Sequence, residues 1–241
     1  MQPALAPNVG EISKLSGTCV NWGPGVERDE NGQIVGAVRA QAQYGQYGGL
    51  FIGPNEKVLY LTFDEGYENG FTAEILDVLK AKQVPAVFFV TADYVSRESE
   101  LIERMLAEGH IVGNHSVHHK SMPSLSLEDA AAEITGLHNT MADTYDTICT
   151  LFRPPEGSFS EQTLALAKDL GYTSVFWSFG YVDWDVNNQP DPSAALKKLT
   201  EALHPGAIYL LHAVSSTNTA ILGDFIDQAR AAGYTFALVP A

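Results

Sequence analysis

From Lys57 onward the chain alternates short apolar runs with amphipathic stretches, and this alternation narrows the fold more than any other property. The runs lie at 58–63, 86–90, 110–113, 150–152, 173–177, 207–211 and 235–239. They are short, nearly continuous in Val, Ile, Leu, Phe and Ala, and so read as strands covered on both faces. Between most of them, apolar residues recur at helical spacing: Ile75, Leu76 and Leu79; Leu101, Ile102, Met105 and Leu106; Leu164, Leu166, Ala167 and Leu170; Ile221, Phe225, Ile226 and Ala229. Gly109, Gly171 and Gly233 stand where three of these helices should stop. Seven strands alternating with helices imply an α/β fold built on a parallel sheet. Periodicity alone does not separate an open doubly wound sheet from a closed barrel.

With 241 residues, 45% of them hydrophobic, the chain suits one core of barrel size. Its 29 acidic against 14 basic residues give a net charge of −15, which repels phosphate backbones and excludes nucleic acid as a partner. No apolar run approaches the ~18 residues of a membrane span. Residues 1–50 are rich in Gly, Gln, Asn and Pro, with a turn signal at Asp29-Glu30-Asn31-Gly32 and no sustained period. They are expected to form an irregular arm packed on a domain spanning 51–241. The first residues lack the basic and apolar regions of a signal peptide, so the chain is either cytosolic or a mature, trimmed form. Cys19 and Cys149 sit in no metal-ligand spacing and read as unpaired thiols.

The residues that carry chemistry fall at strand ends. Asp64 and Glu65 follow the first strand, His115 and His119 the third, and Arg153 the fourth; Asp183 lies just past the fifth and His212 ends the sixth. In a barrel such ends converge on one mouth, whereas in an open sheet they would spread along an edge, so the barrel is preferred. Each residue alone has an ordinary explanation. Asp64 could cap a helix, although Gly66 and Gly70 intervene. The histidines could be surface residues, Asp183 a loop residue, Trp184 core, and His212 a satisfied core histidine. Arg153 lies between Leu151-Phe152 and Pro154-Pro155, so it should be partly buried and need a carboxylate. Joint placement favours a site. Two imidazoles four residues apart can hold one divalent ion, and two adjacent carboxylates can supply a third ligand and a base, the equipment of metal-assisted hydrolysis. His118, between the two, should point elsewhere.

Five segments in order resemble the motifs of the polysaccharide deacetylases with the NodB homology domain, carbohydrate esterase family 4. They are Thr62-Phe63-Asp64-Glu65-Gly66, His115-Ser116-Val117-His118-His119, Arg153-Pro154-Pro155-Glu156-Gly157, Asp183-Trp184 and Leu210-Leu211-His212. Further words resemble the delta-lactam-biosynthetic de-N-acetylases within that family: Tyr67-Glu68-Asn69-Gly70, Phe176-Trp177-Ser178, Asn187-Asn188-Gln189, His204-Pro205-Gly206 and, in the arm, Asn21-Trp22-Gly23.

The resemblance implies a distorted (β/α) barrel with fewer than eight full units, in keeping with the count of about seven strands. It implies a metal-dependent enzyme that removes the N-acetyl group from N-acetylmuramic acid in peptidoglycan. Asp64 would be general base, His212 general acid, Arg153 the partner of Asp64 and Asp183 the partner of His212. Glu65, His115 and His119 would bind the metal, with zinc first and cobalt or manganese as alternates. Trp184 and Leu210 would line the acetyl pocket. Apart from the resemblance, the polar neutral residues Asn69, Asn187, Asn188 and Gln189 are expected to hydrogen-bond the lactyl group, with Asn69 and Asn188 placed in the substrate pocket. The family usually has Asp where Glu65 stands, so metal affinity is expected to be weakened. The partner would be peptidoglycan glycan strands, the protein a monomer, and its location secreted or wall-associated in a bacterium, with any export signal removed. Rival readings are an N-acetylglucosamine deacetylase on peptidoglycan or chitin-like glycans, an amidohydrolase on small amides, and a glycan-binding module with a decayed site. Loss of Asp64, His115 or His212 would favour the last, and all three are present.

Overall fold

A computed structural model describes residues 7–240; residues 1–6 of the expected arm, and Ala241, lie outside the described residues. Nine strands form the main sheet: β1 (Gly49–Leu50), β2 (Val58–Glu65), β3 (Ala86–Val90), β4 (Ile111–Asn114), β5 (Leu151–Phe152), β6 (Thr173–Val175), β7 (Phe179–Gly180), β8 (Ile208–His212) and β9 (Thr235–Phe236). Their order is β1-β6-β5-β4-β3-β2-β8-β7, with β9 beside the foot of β2, and every pairing is parallel. The eight strands on the path curve through 246°, an open and distorted barrel.

Strand alternation sorts the core into two layers. On β2, Leu59, Leu61 and Phe63 join the layer between sheet and helices, with Ala86, Phe88 and Val90 of β3 and Tyr209 and Leu211 of β8. Tyr60, Val87, Phe89, Leu151, Val175 and Ile208 fill the barrel interior. Gly113 lets Phe89 lie flat against β4, since a Cβ there would meet the Phe89 ring at 2.6 Å. The helices that cover the outside include Thr72–Lys82, Ser99–Ala107, Leu127–Tyr145, Glu161–Asp169 and Ser216–Ala231.

Two strands escape sequence reading because each is only two residues long: β1 and β7. The run at 235–239 shortens to β9. Residues 35–50 also depart from the irregular arm expected there. Val35–Tyr44 is a helix, and β1 extends the barrel sheet through β6. The helix buries only Ala37 and Ala40, small residues among glutamines that give little amphipathic signal. A second, antiparallel pairing joins Val20–Asn21 to Ser158–Phe159. Cys19 and Cys149 are both free thiols, and no described helix is long and apolar enough to cross a membrane.

Candidate active site

The carboxyl ends of the strands open onto a cavity of about 750 Å³, lined among others by Asp64, His115, His119, Trp184, Leu210 and His212. Asp64 keeps phase with Tyr60 and Thr62 and so faces the barrel interior. There it meets Arg153, whose side chain is completely buried. The guanidinium donates from Nη1 to Asp64 Oδ1 at 2.7 Å and to Thr62 Oγ1 at 2.8 Å, and from Nε to the Val175 carbonyl at 3.0 Å. The face of Phe89 lies 4.3 Å from its centre. The carboxylate required by Arg153 is thus Asp64. Burial alone would raise the Asp64 pKa, but the Arg153 charge, with His115 and His212, outweighs it and holds the group below its ordinary value.

His115 donates from Nδ1 to the Arg153 carbonyl at 2.8 Å. A carbonyl only accepts, so Nδ1 carries the proton and Nε2 keeps its lone pair, 3.6 Å from Asp64 Oδ2. Burial, the largest effect, lowers its pKa to about 4, so the imidazole is neutral at pH 7. The His119 ring stands 4.8 Å from that of His115. The two rings converge from a loop in which Ser116 and His119 both have left-handed backbones, at φ 71° and 54°. His118 turns away, as expected, and bonds Glu133 through Nδ1 at 2.8 Å.

Opposite stands a second pair. His212 Nδ1 donates to Asp183 Oδ1 at 2.7 Å, and the His212 N–H donates to Oδ2 at 2.9 Å. Asp183 is fully buried and also accepts from Asn218 Nδ2 at 2.6 Å. Burial would lower the His212 pKa, but the hydrogen bond and charge of Asp183, helped by Asp64, raise it above the ordinary value. Sequence reasoning missed Asn218, which lies in the first turn of helix Ser216–Ala231 and carries no motif signal.

Three expectations are corrected. Glu65 does not join the imidazoles. Because β2 runs on through Glu65, strict alternation puts its side chain in phase with Leu59, Leu61 and Phe63, on the helix side. Its carboxylate is fully buried and lacks a hydrogen-bond partner among the described residues. Burial, with Glu68 and Asp64 nearby, raises its pKa well above the ordinary value. Asn69 is absent from the lining and bonds the Val214 carbonyl at 3.0 Å. Asn188 is absent too, its backbone closing a turn on Asp185. Gln189 holds that same loop, donating to the carbonyls of Asp183 and Asp185. By contrast, Trp184 and Leu210 do line the cavity, with the exposed ring of Tyr67 on its lip.

The polysaccharide deacetylase family model matches residues 52–175, more than half of the chain. The chain belongs to the polysaccharide deacetylase family. It is 40% identical over 235 residues to the peptidoglycan-N-acetylmuramic acid deacetylase PdaA of Bacillus subtilis, covering 96% of this chain and 89% of that one. The solved structure of B. subtilis PdaA, a family 4 carbohydrate esterase, matches with a TM-score of 0.87 at 38% identity, over 93% of this chain and 96% of that one. An uncharacterised 30.6 kDa protein of Geobacillus stearothermophilus is 45% identical over 193 residues, 79% of this chain and 73% of its own. The peptidoglycan-N-acetylglucosamine deacetylase PgdA of Listeria monocytogenes is 31% identical over 183 residues, 76% of this chain and 38% of its own. The family and the distorted parallel barrel expected from the five motifs are borne out.

Proposed function

We propose that this protein removes the N-acetyl group from N-acetylmuramic acid residues of peptidoglycan glycan strands. The observation that carries the proposal is the pairing across one cavity of Asp64, hydrogen-bonded by Arg153, with His212, hydrogen-bonded to Asp183. Similarity to PdaA over nearly the whole chain supports the sugar assignment. Asp64 takes the proton of the attacking water. His212 gives its proton to the departing amine, without which the intermediate would collapse back. Glu156 lines the cavity with a left-handed backbone, φ 59°, and its N–H is the proposed donor to the oxyanion. Acetate release from N-acetylated strands by the parent protein tests the reaction; no release would overturn it.

Among the described residues no group of three His, Cys, Asp or Glu side chains is assembled as a metal site, but the donor types suit a divalent cation, because His115 keeps an unshared Nε2 lone pair beside the His119 ring and Asp64. His115 and His119 would hold the ion, with Asp64 as the nearest carboxylate. Zinc suits two imidazoles, and cobalt or manganese tolerate the same donors. When bound, the ion polarises the amide carbonyl and acidifies water. Glu65, on the far side of the strand, contributes nothing to it. Glu65→Gln should therefore leave zinc affinity unchanged in a calorimetric titration. His115→Ala should weaken zinc by more than the ~10–100-fold of a lost supporting bond. A large loss of affinity in Glu65→Gln would restore it as a ligand.

The pH profile follows from the two pairs. Activity needs Asp64 ionised and His212 protonated. Because the Asp64 pKa is lowered, the acid limb of kcat/KM should lie below the ordinary aspartate value of ~3.9. Because the His212 pKa is raised, activity should fall only as pH passes a value above 6.5. In Asp183→Asn the largest raising influence is gone while burial remains, so the alkaline limb should move to lower pH than in the unsubstituted protein. An unmoved limb would remove His212 from the acid role.

A second reading, deacetylation of N-acetylglucosamine, has one observation in its favour. No lysine or arginine among the described residues lines the cavity, while exposed Glu156 does. A free lactyl carboxylate would find no lysine or arginine to pair with there.

A further inference from the structure

The Asn21-Trp22 segment of the arm is not part of the cavity lining, yet it is bolted to two of its walls. The first wall is the turn after Arg153. Glu156 and Gly157 both have left-handed backbones, φ 59° and 67°. A non-glycine residue keeps such a conformation only where its surroundings impose it. Those surroundings are supplied largely by the arm. Trp22 N–H donates to the Gly157 carbonyl at 3.1 Å. Ser158 Oγ donates to Asn21 Oδ1 at 2.9 Å, and Val20 and Asn21 pair with Phe159 and Ser158. The Trp22 Cβ sits 3.3 Å from where a Gly157 Cβ would be.

The second wall is Trp177. The Trp22 indole Nε1–H donates to its carbonyl at 2.9 Å. A Cβ on Gly157 would strike the Trp177 ring at 2.5 Å, so turn and ring are in mutual contact. The Trp22 ring is itself seated edge-on against Phe51, at 4.7 Å, and Phe176, at 6.1 Å. One residue thus links the turn, through its backbone N–H, to the Trp177 wall and the aromatic cluster beneath β1, through its ring.

We propose that Trp22 is a positioning residue: it fixes the Glu156–Gly157 turn against Trp177 and so sets the geometry of the cavity for the reaction. Its catalytic consequence rests on the function proposed above. Trp22 touches no reacting group, and its effect passes through the turn.

Trp22→Phe keeps an aromatic ring on Phe51 and Phe176 but removes the Nε1–H bond. In this variant amide hydrogen exchange at residues 156–159 should quicken about tenfold or more while the β2 and β3 amides stay protected. On acetylated strands kcat should fall about tenfold or more, with KM within about twofold and both pH limbs unmoved. Asn21→Ala should give a weaker change in the same direction. Unchanged exchange in 156–159 would overturn the brace whatever the activity. Faster exchange with unchanged kcat per folded molecule would reduce Trp22 to a purely structural role. A parent protein that releases no acetate would sink the proposed function, and the exchange measurement would still decide the brace.

Discussion

Asp64→Asn is expected to lower kcat by about 10²–10⁴-fold, and His212→Gln by a similar factor, the range for loss of a general base or acid. The two variants should nevertheless differ in stability. In Asp64→Asn the new amide oxygen would still accept a hydrogen bond from Arg153, but the completely buried guanidinium would lose the one anionic partner it has within hydrogen-bonding distance among the described residues. His212 is partly accessible, and its loss leaves Asp183 with the Asn218 bond. Urea unfolding of both variants, alongside kcat per folded molecule, separates the effects. Near-parental turnover in either variant would remove that residue from the reaction.

Arg153→Leu should be the most destabilising single change at the site, at about 3–5 kcal/mol, the cost of stripping a buried ion pair of one partner. That is a large share of the ~5–15 kcal/mol that holds a domain together. The loss would strip Asp64 and the carbonyls of Val175 and Phe176 of the guanidinium together, while Thr62 Oγ1 keeps its bond to the Tyr209 carbonyl. It would also leave burial as the dominant influence on Asp64. The Asp64 pKa should then rise above its ordinary value, moving the acid limb of activity upward. Arg153→Lys should not rescue the site, since one ammonium cannot reproduce a fork that bonds a carboxylate, a hydroxyl and two carbonyls at once. A stability loss under about 1 kcal/mol would show that the pair is solvated and holds little of the fold together.

Much of the site was legible because a parallel barrel converts strand order into spatial convergence. Asp64, His115, His119, Arg153, Asp183 and His212 could be gathered from their positions after apolar runs alone. The need of Arg153 for a carboxylate followed from its apolar neighbours. Glu65 was misplaced for one physical reason. Ending the first strand at Phe63 leaves Asp64 and Glu65 free to face the same way in a loop. The strand in fact continues through Glu65, and alternation separates the two carboxylates. Asn69 was misplaced because a polar loop side chain satisfies a backbone group as readily as it binds a ligand, and sequence does not tell the two apart; Asn188 sits in a turn closed on Asp185, away from the cavity lining. Asn218 and Trp22 act through partners far away in the chain, 35 residues to Asp183 and 155 to Trp177, which no local pattern signals.

The most direct test is mass spectrometry of defined glycan strands, freed of peptide and carrying acetyl groups on both sugars, before and after treatment with this protein. The expected result is loss of one acetyl group from muramic acid residues, with the neighbouring N-acetylglucosamine residues intact. Loss confined to N-acetylglucosamine, or no loss at all, would contradict the proposed function.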